Sequence, residues 1–363
     1  MLGYYGIIIW IVVFAVLSSL VRAQQAENIC DQKVYRYTWW WAIIAIIPLV
    51  YMCATRGYVG DTAAYMRAFK EMPESMGGFN TYISGISKDK GFYAFSALIK
   101  VLIGNHVKIY FFILAAIQGS FLVKIYRKYS TRYVLSIFLF LVSTDYISWM
   151  FNGIRQFLAV TITFVAFPFI LKKKYVPAIV LILIASTVHG TALLMLPFIF
   201  VVQGKAWNKK TLLFIMAITI AVSFVDQFTN FLEVALQETQ YENVVSDWQE
   251  WQDDGTNVLR VLVYSIPAIF SLIGLKYIKA ADNPVINICT NMSIITVGFY
   301  VVSMFTSGIF IGRLPIYFSL YNYILLPWEI DNMFTKNSAT LVYMCMMGAY
   351  LMFYLYSMNM MGL

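Results

Sequence analysis

The sequence predicts an all-α polytopic membrane protein, with about twelve transmembrane helices and a re-entrant or interfacial segment near residues 92–104. Three observations predict it. Of 363 residues, 61% are hydrophobic and only 12% are charged, whereas a soluble domain carries about 25% charge. The mean hydropathy is +0.72. The apolar residues also fall into runs that match the ~30 Å bilayer core, which takes about 20 residues of helix. The membrane is therefore the solvent for most of the chain.

The first run, Tyr4 to Val21, has no charged segment before it, and Arg22-Ala23-Gln24 makes a poor cleavage site, so it reads as a retained first span. Further spans are expected at Thr38 to Ala54, Val107 to Val123, Tyr133 to Met150, Gly153 to Leu171, Leu212 to Phe228, Val258 to Leu275, Ile286 to Met304, Leu314 to Trp328 and Thr340 to Tyr356. Phe92 to Gly104 is only thirteen residues and contains Lys100, which is short for a span. Val176 to Val202 is too long for one upright span and is interrupted by His189-Gly190. No repeat and no linker rich in Gly, Pro or Ser divides the chain, which reads as a single transmembrane domain over residues 1–363. Polar segments lie at 56–91 and 229–257, the second with seven acidic residues and no Lys or Arg.

Lysine and arginine accumulate on cytoplasmic loops. One arrangement segregates them well: Val176 to Val202 forms a hairpin of two short half-spans with His189 at its outer tip, and both termini face outward. Arg22, Lys33, Arg36, Lys124, Arg127, Lys128, Arg132, Lys172, Lys173, Lys174, Lys205, Lys209, Lys210, Lys276, Lys279 and Lys336 then lie inside. If the stretch is one tilted span instead, everything after it reverses. The net charge of +8 is explained by this topology rather than by nucleic acid, since no basic block exceeds Lys172-Lys173-Lys174. Cys30, Cys53, Cys289 and Cys345 are far apart, and with His106 and His189 they offer no metal-ligand spacing. Neither a metal nor another cofactor is expected.

Ionisable groups in or beside the hydrophobic layer are costly and commonly functional. Arg155 follows the Asn152-Gly153 turn, which places its guanidinium beside the N-terminal dipole of a helix, a setting for phosphate. Snorkelling to the interface is the bland alternative. Arg313 has the same setting, with Gly308 and Gly312 loosening the chain before it and Pro315 tolerated in the next helix's first turn. His189 is the one titratable group in its apolar stretch. Arg56, Gly60, Asp61, Tyr65 and Arg67 form a further cluster, in which Asp61 can cap a helix from Thr62 to Met72 that Pro73 stops. At Lys88-Asp89-Lys90 the charges mark the membrane interface. Tyr241, Trp248 and Trp251 stand among carboxylates, a combination suited to sugar rings, although a solvated loop with interfacial Trp anchors accounts for them equally.

The order of these pieces resembles the EpsG family of Wzy-like polysaccharide polymerases. The stretches that carry the likeness are Arg56-Gly57-Tyr58-Val59-Gly60-Asp61 with Tyr65 and Phe69, then Lys90-Gly91-Phe92-Tyr93, Arg155-Gln156-Phe157-Leu158-Ala159, and Ser186-Thr187-Val188-His189-Gly190 leading to Leu196-Pro197. They span Arg56 to Pro197, just over a third of the chain. One departure is Lys88-Asp89-Lys90, where the family pattern has Glu or Asp followed by Pro before the glycine, and no acid/base role is assigned there.

The resemblance implies a membrane glycosyltransferase of the bacterial inner membrane, its active site facing the periplasm or exterior. It would move a glycan from undecaprenyl pyrophosphate to a hydroxyl of a lipid-linked repeat unit, with no cofactor. Arg155 and Arg313, assisted by Arg56 or Arg67, would bind pyrophosphate; His189 or Asp61 would be the catalytic base; Tyr65, Tyr241, Trp248 and Trp251 would bind sugar. A chain-length regulator and a flippase of the same pathway would be partners, besides the bilayer itself. A glycan ligase of similar chemistry and a polysaccharide transporter or flippase are the alternative readings.

Overall fold

Hydropathy sets where a chain can enter a membrane, whereas Gly, Pro and polar residues set where each helix stops. The computed structural model describes residues 2–21, 23–29, 32–237, 239, 241–250 and 255–363. By packing, they divide into two compact units, Met1–Leu194 with Ser338–Leu363, and Met195–Asn337.

In the first unit α1 (Leu2–Leu20) is followed by an antiparallel pair, β1 (Gln24–Ile29) and β2 (Gln32–Tyr37), with Gln24 opposite Tyr37 and Ile29 opposite Gln32. Among the described residues this short hairpin is the one strand pair, and the rest of the regular structure is helical, in keeping with an all-α polytopic protein. The hairpin is anchored by Tyr37, whose ring packs 5.7 Å from Phe14 and 5.5 Å from Tyr133 and whose hydroxyl bonds Ser18 at 3.0 Å. The expected span from Thr38 breaks into α2 (Trp39–Ile44) and α3 (Ile47–Ala54), the second starting with Pro48 in its first turn.

The first polar segment forms α4 (Thr62–Glu71), a 3₁₀ turn (Met76–Gly78), α5 (Phe79–Ser84) and α6 (Lys90–Ile103). The short apolar stretch expected near 92–104 is this last amphipathic helix of 14 residues, too short to span. Lys100 on it is 0% exposed. Its Nζ donates to Asn105 Oδ1 at 2.9 Å, pairs with Glu74 at 3.4 Å and lies 5.1 Å over Phe69. Lys100→Ala is expected to remove these contacts and leave a gap where the buried side chain packs, loosening the segment by about 1–3 kcal/mol. Hydrogen exchange over residues 62–105 reads this directly, and unchanged protection would contradict it.

The unit continues with α7 (Val107–Tyr129), α8 (Tyr133–Val142), a π-helical turn (Tyr146–Asn152), α9 (Ile154–Val165), α10 (Phe167–Leu171), α11 (Tyr175–Val188) and a 3₁₀ turn (Gly190–Leu194). The stretch Val176 to Val202 does break at His189, whose backbone is extended (φ −156°, ψ 120°).

The second unit holds α12 (Met195–Val201), α13 (Lys209–Ser223), α14 (Val225–Leu236), α15 (Val244–Glu250), α16 (Val258–Ile273), α17 (Leu275–Ala281), α18 (Pro284–Met304), a 3₁₀ turn (Ile311–Arg313), α19 (Ile316–Ser319) and α20 (Asn322–Met333). At its centre α18 packs against α13, α16 and α20. The last helix, α21 (Lys336–Met360), belongs mainly to the first unit, where Tyr354 bonds the Tyr146 hydroxyl at 2.9 Å and the Tyr4 carbonyl at 3.0 Å.

Among the described residues, five helices are long and apolar enough to cross a membrane: Gly3–Leu20, Val107–Tyr129, Ile154–Leu171, Pro284–Met304 and Lys336–Met360. Three bent pairs, α8 with the π turn (73°), α13 with α14 (103°) and α16 with α17 (70°), raise the count to eight if each is one span. Twelve is not reached, because several apolar runs of sufficient length are broken in direction. One break is Thr144, in left-handed backbone at φ 65°, and another is Gly274 between α16 and α17.

Candidate active site

Three helix ends meet in the first unit. Asp89 is the residue before α6, in left-handed backbone (φ 55°, ψ 39°). Arg155 lies in the first turn of α9, which begins after Gly153. His189 ends α11, its N–H bonded to the Ala185 carbonyl at 2.9 Å. One oxygen joins them: Asp89 Oδ2 accepts from Arg155 Nη1 at 2.9 Å and lies 3.1 Å from His189 Nδ1.

The carboxylate is 5% exposed, against 33% for Arg155 and 20% for His189, so the acid is sealed while its two partners stay accessible. Gly91 makes this approach possible. A Cβ there would overlap the Thr187 side chain and lie 2.8 Å from its carbonyl carbon, so only glycine lets the start of α6 meet the end of α11.

Tyr65 on α4 completes the cluster. The Arg155 charge acts on its hydroxyl, its ring packs 6.2 Å from Phe92, and the Arg155 guanidinium lies 5.8 Å from the Tyr93 ring. Burial pushes the Tyr65 hydroxyl above its ordinary pKa, with the Arg155 charge pulling the other way. The phenol therefore remains a neutral donor at neutral pH. Among the described residues, no three His, Cys, Asp or Glu side chains gather as a metal site would require.

The profile of the EpsG family matches the chain from residue 39 to residue 362. The chain belongs to the EpsG family. That is a family of Wzy-like polysaccharide polymerases. No curated protein and no solved structure matches the chain.

The EpsG resemblance had rested on four separated stretches, and all four contribute to this one place in the first unit. Gly60 adopts φ 51°, and a Cβ on it would lie 2.8 Å from Asn152 Cγ. The Asn152 side chain instead accepts the Asp61 N–H at 2.9 Å, which docks the Arg56–Asp61 loop on the turn that leads to Arg155. Asp61 precedes α4 as expected, but its carboxylate makes no capping bond and is exposed, a correction to its reading as a cap. Its charge acts on Tyr65.

Arg56, expected at pyrophosphate, donates Nη1 to the Met150 and Phe151 carbonyls at 2.8 and 3.1 Å and stacks 4.0 Å over Phe111. Those carbonyls belong to the end of the π turn, where backbone acceptors lack helical partners. These bonds tie Arg56 to the backbone immediately before the Asn152–Arg155 turn. Arg67 is exposed on α4.

The remaining expected residues lie in the second unit. Arg313 ends the 3₁₀ turn Ile311–Arg313 and is exposed. Gly308 and Gly312 do not loosen the chain before it; they allow close contact, since a Cβ at either would come within 2.6 Å of the Gly255 carbonyl oxygen or Thr256 Oγ1, respectively. Tyr241 is half-buried just before α15, a helix that also carries Trp248, and Trp251 lies outside the described residues.

Sequence reasoning passed over Asp89 because Lys90 stands where the EpsG pattern has proline. The acid itself is in register, two residues before Gly91. Proline is favoured at the first position of a helix, and Lys90 occupies that first position of α6. The departure thus alters a helix start and leaves the carboxylate in place.

Proposed function

We propose that this EpsG-family protein is a glycosyltransferase that joins undecaprenyl-pyrophosphate-linked repeat units at the outer leaflet of the bacterial inner membrane. The observation that carries the reading is the Asp89 carboxylate held between Arg155 and His189. An acid at Nδ1 favours the Nδ1–H tautomer and leaves Nε2 with its lone pair, the arrangement of a general base. Asp61, the other base considered, is exposed and has no such partner.

His189 Nε2 takes the proton of the acceptor hydroxyl as its oxygen forms a bond to the anomeric carbon of the growing glycan. The bond from that carbon to the pyrophosphate oxygen breaks, and undecaprenyl pyrophosphate leaves with the electron pair. Arg155 and the amides at the start of α9 stabilise the charge that grows on the leaving group. Tyr65, neutral and beside Arg155, is placed to donate to sugar or phosphate oxygen. A flippase supplying the substrate and a regulator of chain length are partners consistent with this reaction.

Purified protein given a defined undecaprenyl-pyrophosphate-linked oligosaccharide is expected to yield a ladder of longer lipid-linked glycans and free undecaprenyl pyrophosphate. A single transfer product without a ladder would identify a ligase, and transbilayer movement without bond formation would identify a transporter. The orientation is tested separately. With both termini outward, Glu250→Cys in a background lacking Cys345 is expected to react with an impermeant maleimide from outside, and labelling only from the cytoplasm would overturn that topology.

A further inference from the structure

Arginine set against an aromatic ring recurs in the first unit. The Arg56 guanidinium lies 4.0 Å from the Phe111 ring, and those of Arg127 and Arg132 each lie 4.7 Å from a ring, Trp39 and Tyr343 respectively. Two of these side chains are engaged with the backbone. Arg56 donates to the Met150 and Phe151 carbonyls, and Arg127 Nε donates to the Tyr37 carbonyl at 2.5 Å. Arg155 is bound differently. Its Nη1 goes to a side-chain carboxylate, and 33% of its side chain stays exposed.

Tyr93 supplies the ring at Arg155. It lies one turn along α6 from Asp89, and its N–H donates to the Asp89 carbonyl at 3.3 Å. Side chains four residues apart at a helix start share a face. The start of α6 therefore meets one guanidinium twice, through the Asp89 carboxylate at 2.9 Å and through the Tyr93 ring, whose centroid is 5.8 Å from the guanidinium carbon.

The two contacts constrain different things. The carboxylate bonds Nη1 through one oxygen, and the plane of the guanidinium can turn about a single bond of that kind. A cation within about 6 Å of a ring is drawn to its face, which opposes such turning. The ring is itself held in place. Phe92, only 1% exposed, meets it edge to face with centroids 5.6 Å apart and planes at 84°, and Phe92 packs in turn on Tyr65 at 6.2 Å. Tyr93 is half-buried at the margin of this packed layer.

We propose that Tyr93 is a positioning residue, which orients the Arg155 guanidinium so that its accessible N–H edge meets the pyrophosphate of a prenyl-linked substrate. The inference rests on the assignment of pyrophosphate to Arg155. Arginine recognises phosphate as a planar fork making two parallel N–H···O bonds. Such a fork binds more tightly when its plane is fixed before the ligand arrives.

The test titrates farnesyl pyrophosphate into the purified full-length protein and measures polymer formation from the defined lipid-linked oligosaccharide in parallel. Tyr93→Leu keeps apolar bulk and loses the ring. It is expected to raise the Kd of the probe and the KM of the substrate about tenfold, with kcat within about twofold of the unaltered protein. Tyr93→Phe retains the ring and should stay within about twofold in all three. In an Arg155→Ala background Tyr93→Leu should weaken binding no further, because the ring acts through the guanidinium. A packing role for Tyr93 would instead lower kcat through Asp89 and His189 and would persist in that background, which overturns the proposal. Equal affinity of Tyr93→Leu and the unaltered protein for the probe also overturns it, and leaves pyrophosphate at Arg155 standing. A loss in Tyr93→Phe as large as in Tyr93→Leu assigns the effect to the hydroxyl and rejects the ring. An unaltered protein that does not bind farnesyl pyrophosphate overturns both readings. Should Tyr93→Leu fail to fold, Tyr93→Gln takes its place with the same expected loss.

Discussion

Asp89→Asn is expected to slow polymer formation by about 10²–10⁴-fold while the protein accumulates normally. The amide is isosteric, so the packing of α6 against α11 survives. Arg155 Nη1 and His189 Nδ1 meet the same atom, Oδ2, and no amide atom replaces it in full. An oxygen there lacks the negative charge that stabilises the protonated imidazole. An NH₂ there is a donor facing the donors of Arg155 and His189, which moves the imidazole proton to Nε2 where the acceptor hydroxyl needs a lone pair. The loss should therefore appear in kcat with KM little changed. Arg155→Ala should behave differently, raising KM as well, because it removes the cation assigned to pyrophosphate. His189→Ala combined with Asp89→Asn should be little worse than either alone, since residues acting as one unit are not additive. Normal polysaccharide chain lengths in cells carrying Asp89→Asn at wild-type expression would refute the assignment of Asp89 and His189 as a pair.

Much of this site could be read in the chain because charges are scarce. Arg155 and His189 stand out in apolar surroundings, and their functional weight follows from the cost of placing an ionisable group there. Asp89 sits between Lys88 and Lys90 and reads as an interface residue; only the geometry at the start of α6 reveals that its carboxylate is buried. Arg56 was visible as a charge, yet its binding to the Met150 and Phe151 carbonyls depends on a π-helical turn, and no residue type announces such a turn.

The fold divides along the same line. Apolar length identified α1, α7, α9, α18 and α21, whereas the reversal of direction at Phe224, between α13 and α14, changes no hydropathy average. The β-hairpin at Gln24–Tyr37 was passed over because it falls in a short polar connection, where charge counting assigns a side of the membrane and says nothing about backbone pairing.

Gly91→Ala should cripple the same site without removing any of its functional groups. The added methyl meets Thr187 from the side chain through to the carbonyl carbon, the latter at 2.8 Å. Rotating or shortening the threonine leaves that backbone atom in the way, so relief requires α6 to retreat from the end of α11. The two anchors of the Asp89–His189 contact lie within two residues of this collision, Asp89 two before Gly91 and His189 two after Thr187. A shift of even an ångström separates a hydrogen bond of 3.1 Å, and misplacement on that scale lowers turnover by about 10²-fold. The expected signature is short polysaccharide chains from a protein present at normal levels. Thr187→Ala in the same chain should not restore activity, because the carbonyl carbon remains. Full activity in the Gly91→Ala protein would show that the joint between α6 and α11 has slack, and that the buried carboxylate does not hold His189 in place.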